Sequence, residues 1–229
     1  MIDLKGYGHF FIDGLWMTIG VALVSMAAAI AMGLVGAGGK LSRNKTARTL
    51  ANIYTVVIRG VPDLILLLLL YYNGTVFLNG ALAAFGYTEH VDINPFVTGV
   101  LVLGFIYGAF ATETFRGAFL AVPHGQVEAA RACGMSRWLV FRRVQLPQMW
   151  RFALPGLGNI WLVLLKGTSI ITVVGLQELT NKSQQANGVL KMPFTVFFLA
   201  SLIYLTMTAV SNLALHTAER RASAGVRRD

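Results

Sequence analysis

Four charged side chains lie within or at the edge of long apolar stretches: Arg59, Asp63, Glu113 and Lys166. Groups of these types at such positions hold a charged solute or hold one another. Acid–base catalysis fits them poorly, because it needs a partner within hydrogen-bond reach of the carboxylate. Of the histidines, His9, His90, His124 and His216, the solvent-facing His9 and His90 lie on the outside, far from these carboxylates by the expected topology. The four share no ligand spacing and Cys133 is the only cysteine, so neither a metal site nor an intramolecular disulfide is expected. A glycine-rich phosphate loop with its Lys and Ser/Thr does not occur, so no nucleotide site is expected in this chain.

The elements that must carry these charges follow from composition. Of 229 residues, 55% are hydrophobic and 13% charged, against about 25% charged in an average soluble domain. With a mean hydropathy of +0.63 and 24 glycines, this excludes a water-soluble globule and reads as one all-α, polytopic membrane domain over 1–229. A helix needs about 20 apolar residues to cross about 30 Å of hydrocarbon. Five regions satisfy this: 14–39, 50–84, 93–120, 152–177 (interrupted only by Lys166) and 192–218. A polar loop, 121–147, separates the third from the fourth. No basic region precedes the first apolar run, which reads as a span and not as a cleaved signal.

The formal charge of +9 lies between the apolar runs and not on one soluble face, so nucleic acid is not an expected partner. Lys40, Arg43, Lys45 and Arg48 fill the first linker; Arg116, Arg131, Arg137, Arg142, Arg143 and Arg151 the third; Arg220, Arg221, Arg227 and Arg228 the tail. The other linkers carry few basic residues: Lys5 beside Asp3 and Asp13, then Glu89 and Asp92, then Lys182 and Lys191 with Glu178. Short cytoplasmic loops retain Lys and Arg, so five spans with an external N-terminus and an internal C-terminus satisfy every linker.

Residues 50–84 would make about 52 Å of unbroken helix, too long for the bilayer even with tilt. Gly60 and Pro62 predict a break, because proline lacks the backbone donor and starts a new first turn. Asp63 then sits at a helix N-terminus. Irregular backbone at membrane depth is tolerated only where protein or a water-filled cavity covers it, which marks Arg59 and Asp63 as a candidate permeation site. Glu113 falls roughly 27 Å along the third span from Pro95. A carboxylate at depth costs about 2.5–3.5 kcal/mol, so Asp63 and Glu113 should face the interior and find cationic partners. Two readings of Asp63 stand open: it binds solute, or it pairs with Arg59 across one helical turn. Lys166 snorkels or binds a carboxylate. The hydroxyls of Thr168 and Ser169 are expected on backbone carbonyls, and Cys133 as a small packing residue.

Within 121–147, Val127, Ala130, Gly134, Leu139 and Phe141 offer an apolar face while the arginines stay wet, predicting two short helices broken at Gly134. Glu128-Ala129-Ala130, three residues, Gly134, nine residues, Val144, one residue and Leu146-Pro147 resembles the EAA loop of permease subunits of bacterial ABC importers. Val144 stands where that family usually has isoleucine. Arg59-Gly60-Val61-Pro62, Thr112 to Gly117, Val122 to Gln126 and Lys166-Gly167-Thr168-Ser169 are similar to the polar amino acid members. Arg59 to Leu64, Gly104 to Ala109 and the tail Glu219-Arg220-Arg221 with Gly225-Val226 resemble the permeases of histidine/lysine/arginine/ornithine importers. Gly167 departs from the pattern, which often has an acid after this lysine.

The resemblance implies an inner-membrane permease subunit that imports polar, cationic amino acids or related opines. Glu128, Ala129, Ala130, Gly134, Leu146 and Pro147 would form the coupling loop that docks on an ATPase. It implies a second permease subunit, identical or homologous, two cytoplasmic ATPase subunits that hydrolyse ATP with Mg, and a periplasmic solute-binding protein, all in membrane lipid. Asp63 would accept the side-chain cation of the substrate, Arg59 its α-carboxylate, and Glu113 would be a further candidate. The absence of an internal repeat at 20–50 residues also argues for a pathway between two subunits. The alternatives are a secondary transporter or channel uncoupled from ATP, and, as the poorest case, a membrane-bound enzyme.

Overall fold

A computed structural model describes residues 6, 8–87 and 94–222 of the chain. Asp3, Lys5, Glu89, His90, Asp92 and the tail residues Gly225, Val226, Arg227 and Arg228 lie outside the described residues. Described residues are nearly all helical, with no strand, and include five helical segments long and apolar enough to cross a membrane.

The longest helix, α1 (Gly8–Leu41), packs chiefly on α4 (Pro95–Leu120). Ser25, Ala29, Gly33 and Ala37 recur every fourth residue and are all buried, one stripe of small side chains along α1. A Cβ on Gly33 would lie 2.6 Å from that of Ala111, and one on Gly104 would lie 2.6 Å from that of Ala28. Lipid tails are as apolar as leucine, so helices in a bilayer associate through such close backbone approach.

Helix α2 (Lys45–Gly60) begins at Asn44, whose side chain accepts from Thr46 N at 2.9 Å. It ends at Gly60; Val61 and Pro62 are extended, and α3 (Asp63–Ala84) begins at Asp63. Pro62 cannot donate into the preceding turn, so the long second tract is two helices joined through Val61 and Pro62. Helix α3 is covered over only 11% of its apolar window, against 67% for α4.

The loop 121–147 differs from expectation in its second half. Helix α5 (His124–Ala132) is separate, but α6 (Arg137–Val140) continues through a π-helical turn, Phe141–Gln145, into α7 (Leu146–Gly167). The fourth span therefore starts within the loop, because no proline or glycine interrupts Arg137 to Leu146 and the wider π turn absorbs the junction. Cys133 is exposed at the end of α5 and does not pack; it closes the last turn, where the chain leaves the helix surface. Beyond α7 a 3₁₀ segment, Thr168–Val174, ends at Gly175 with φ of +85°. What reads in sequence as a polar linker is a further helix, α8 (Leu179–Leu190), before α9 (Pro193–Ala222).

Candidate functional site

Half-way along α4, two helix irregularities meet. Tyr107 is buried, and its hydroxyl donates to Asp63 Oδ2 at 3.2 Å, joining α4 to the first residue of α3. Gly167, where α7 gives way to the 3₁₀ segment, lies against the same hydroxyl so closely that a Cβ would collide with it. The switch is stabilised locally: Thr168 Oγ1 donates to Leu165 O and Ser169 Oγ to Lys166 O, both at 2.8 Å. Both hydroxyls thus serve backbone carbonyls, as expected. The broken second tract and the tightened end of α7 therefore face each other across Tyr107.

Among the described residues, the charges around this point make no ion pair. Arg59 is exposed, with its guanidinium over the Phe110 ring 5.3 Å from the centroid. Among the described residues no ion pair joins it to Asp63, so the helix-turn pairing weighed from sequence is not made. Lys166, exposed and next to Gly167, likewise makes no ion pair among the described residues. A carboxylate, a guanidinium and an ammonium are thus carried by the α2–α3 break and the end of α7, while Tyr107 supplies a buried neutral donor.

Glu113 lies elsewhere, about 9 Å further along α4. Its Oε1 accepts from Lys40 Nζ of α1, and its Oε2 accepts from Arg116 Nε at 2.9 Å. The Lys40 side chain is only 7% exposed. The structure thus brings Arg59 and Asp63 near one point of α4 and separates Glu113 from them.

At the same arginine-rich end, Gly134 takes φ of +79°, a left-handed conformation that glycine adopts without steric cost. Its N–H donates to Arg131 O at 2.9 Å and that of Met135 to Ala130 O at 3.2 Å, closing α5. Ala130 and Val127 are buried, whereas Glu128, Ala129, Gly134 and Pro147 are exposed. The Gln148 side chain hydrogen-bonds that of Gln126, tying α5 to α7. Leu146 lines a hollow of about 280 Å³ with Leu34, Phe115, Phe119, Phe141 and Met149. The result is a short polar helix projecting from two spans.

Tyr107 and Phe110 escape a reading based on charge, and Glu178, which counts in sequence as a linker charge, is fully buried at the start of α8. The only sequence signal for Tyr107 is a phenol within an apolar span that has to place its hydroxyl on some partner.

Residues 25–224 match the family described as binding-protein-dependent transport system inner membrane component. The chain is 46% identical over 225 residues to the histidine/lysine/arginine/ornithine transport system permease protein HisQ of Escherichia coli, covering 98% of each. It is 44% identical over 223 residues to the nopaline transport system permease protein NocQ of Agrobacterium fabrum, covering 97% of this chain and 94% of the relative. Its fold superposes on a crystal structure of an amino acid ABC transporter with histidines at a TM-score of 0.82 and 34% identity, covering 96% of this chain and 97% of that one.

Proposed function

The chain belongs to the family of binding-protein-dependent transport system inner membrane components, and from that premise we propose that it carries cationic amino acids or opines past Asp63. It is the membrane-spanning permease subunit of an ATP-driven importer of polar amino acids, and it works with partner subunits and a solute-binding protein. The observation that carries the substrate reading is Asp63, a carboxylate that has a neutral phenol and no cation as partner among the described residues, where two helix irregularities meet. In this reading Asp63 takes the side-chain cation of the solute and Arg59 its α-carboxylate, while Glu113 belongs to the ion cluster at the arginine-rich end.

The arginine-rich end is cytoplasmic in this proposal, so the N-terminus and α8 are periplasmic and the C-terminus is internal. Glu128, Ala129, Ala130, Gly134, Leu146 and Pro147 present α5 to the ATPase. Two ATPase subunits bind and hydrolyse ATP with Mg, and a second permease, identical or homologous, supplies the other wall of the pathway. Closure of the ATPase pair moves α5 together with α7, to which it is tied, and shifts the population between outward and inward access.

Uptake of labelled arginine into proteoliposomes, with permeases, ATPase and binding protein reconstituted together, tests this function. The expected result is uptake that requires internal ATP and vanishes when the ATPase is omitted. Uptake that persists without the ATPase would favour the secondary-transporter alternative.

A further inference from the structure

Glu178 is a fully buried carboxylate with no ion pair among the described residues. Burying a charge this way is costly unless hydrogen bonds replace water, and here donors from three elements do so. Oε1 accepts from Thr172 Oγ1 of the 3₁₀ segment and from Asn181 N at 2.9 Å. Oε2 accepts from Thr180 N at 2.9 Å and from Tyr204 OH of α9 at 3.0 Å. Thr180 Oγ1 also lies 3.3 Å from Tyr204 OH, which closes the ring of contacts. A helix cap alone would use the two backbone donors; the hydroxyls of Thr172 and Tyr204 go beyond capping and reach different spans.

Helix α8 is also fixed to α1. Leu179 N donates to Thr18 Oγ1 at 3.1 Å, and Gly14 sits so near Leu179 that a Cβ would come within 2.7 Å of its Cα. The outward side of α8 carries exposed Gln184, Gln185, Gly188 and Val189. Glu178 grips Thr172, in the second half of the 3₁₀ segment; the segment's first residue follows Gly167, which touches the Tyr107 hydroxyl bonded to Asp63. The segment is a seven-residue 3₁₀ run at the C-terminal end of α7, longer than the three or four residues such runs commonly reach, and so depends on outside contacts to hold it.

We propose that Glu178 is the positioning residue through which α8 sets the 3₁₀ segment against Tyr107, so that contact of the solute-loaded binding protein with α8 is passed to the mid-span site. This rests on the reading above that α8 is periplasmic, the side from which the solute-binding protein delivers. The connection is a two-arrangement one: with both hydroxyls on the carboxylate the segment is held toward α9, and with them released Gly167 and its neighbours move relative to Tyr107.

The test uses the complete complex in proteoliposomes, comparing Glu178→Gln and Thr172→Val with the parent at matched incorporation. ATP hydrolysis is measured without binding protein and with solute-loaded binding protein. The amide replaces one acceptor oxygen with a donor that faces donors, so stimulation by the binding protein should fall about fivefold or more, the scale of an ordinary coupling energy. The basal rate should stay within about twofold of the parent. Thr172→Val should lower stimulation in the same direction, and the double variant should do no worse than Glu178→Gln alone, as residues on one connection are non-additive. Equal proportional loss of both rates would make Glu178 a structural cap and overturn the proposal. If Glu178→Gln fails to assemble, Thr172→Val decides: unchanged stimulation there also overturns it. Labelling of Gln184→Cys by an impermeant maleimide in intact cells, in a Cys133→Ser background, checks the orientation separately. A labelled Gln184→Cys with unaltered stimulation leaves the topology standing and removes the relay; no labelling removes both.

Discussion

Glu113 and Asp63 are both carboxylates in helical spans, and their surroundings differ in almost every respect. Glu113 lies on the tightly packed face of α4, with one oxygen on Lys40 and the other on Arg116. Asp63 lies at the start of α3, the most sparsely covered of the crossing helices, and has the Tyr107 phenol as its partner. The first is neutralised inside its own subunit and lies beside the α1–α4 seam of small residues. The second has a neutral donor and no cation on it among the described residues, which leaves acceptor capacity on its carboxylate. An ionisable group in a membrane is a candidate site by default; which of two such groups is available depends on whether its cations come from the same chain.

The contrast is broken or sharpened most strongly at Glu113. Glu113→Gln leaves the nearly buried Lys40 ammonium without its countercharge, a loss of about 3 kcal/mol or more for a pair of this kind. The expected outcome is much lower membrane abundance, read by quantitative immunoblot, with specific uptake per molecule little changed. Lys40→Met with Glu113→Gln should recover part of that abundance, since the charge left without its partner is then only Arg116, whose side chain is 39% exposed. Normal abundance with lost uptake in Glu113→Gln would return this residue to the solute pathway.

Asp63→Asn should do the opposite. Arg59 rests on Phe110 and not on Asp63, so abundance should hold. Arginine uptake should fall by about tenfold or more, the value of a charge-assisted contact, with histidine less affected and glutamine least. Equal losses for all three solutes at matched abundance would retire Asp63 as a selectivity residue.

The smallest effect is expected at Tyr107. Tyr107→Phe removes one neutral donor from Asp63, worth about 1 kcal/mol. Arginine uptake at limiting concentration should weaken about threefold to fivefold while abundance stays unchanged. A loss as large as that in Asp63→Asn would make the phenol, and not the carboxylate, the group that meets solute.

Much of the architecture is legible in the sequence because the bilayer fixes helix length. The tract over 50–84 is too long to cross unbroken, and Pro62 has no N–H to give, so the break at Asp63 follows from counting. The five apolar runs and the basic linkers are legible for the same reason. Other features depend on contacts far apart in the chain. Lys40 reads as one more linker charge, and nothing local shows that it folds back on Glu113. Tyr107 carries no charge and so stands out from no apolar neighbour. Helix α8 hides in a polar stretch with only modest helical signals, and Glu178 looks like surface charge until Thr172 and Tyr204 close over it. Gly134 was legible as a turn, whereas the π turn after Val140 was not, since no residue type demands one.

The seam between α1 and α4 also has a consequence for how the chain is made. Gly33 and Ala111, which touch across it, are about 80 residues apart in sequence. At synthesis rates of about 5–20 residues per second, α1 waits several seconds in the bilayer with its stripe of small residues against lipid. During that interval α2 emerges and packs on α1, but far less extensively than α4 does, so most of the stripe waits for α4. Nascent chains stalled before Leu120 should therefore be the form that membrane proteases recognise, and arrival of α4 the step after which the subunit becomes long-lived.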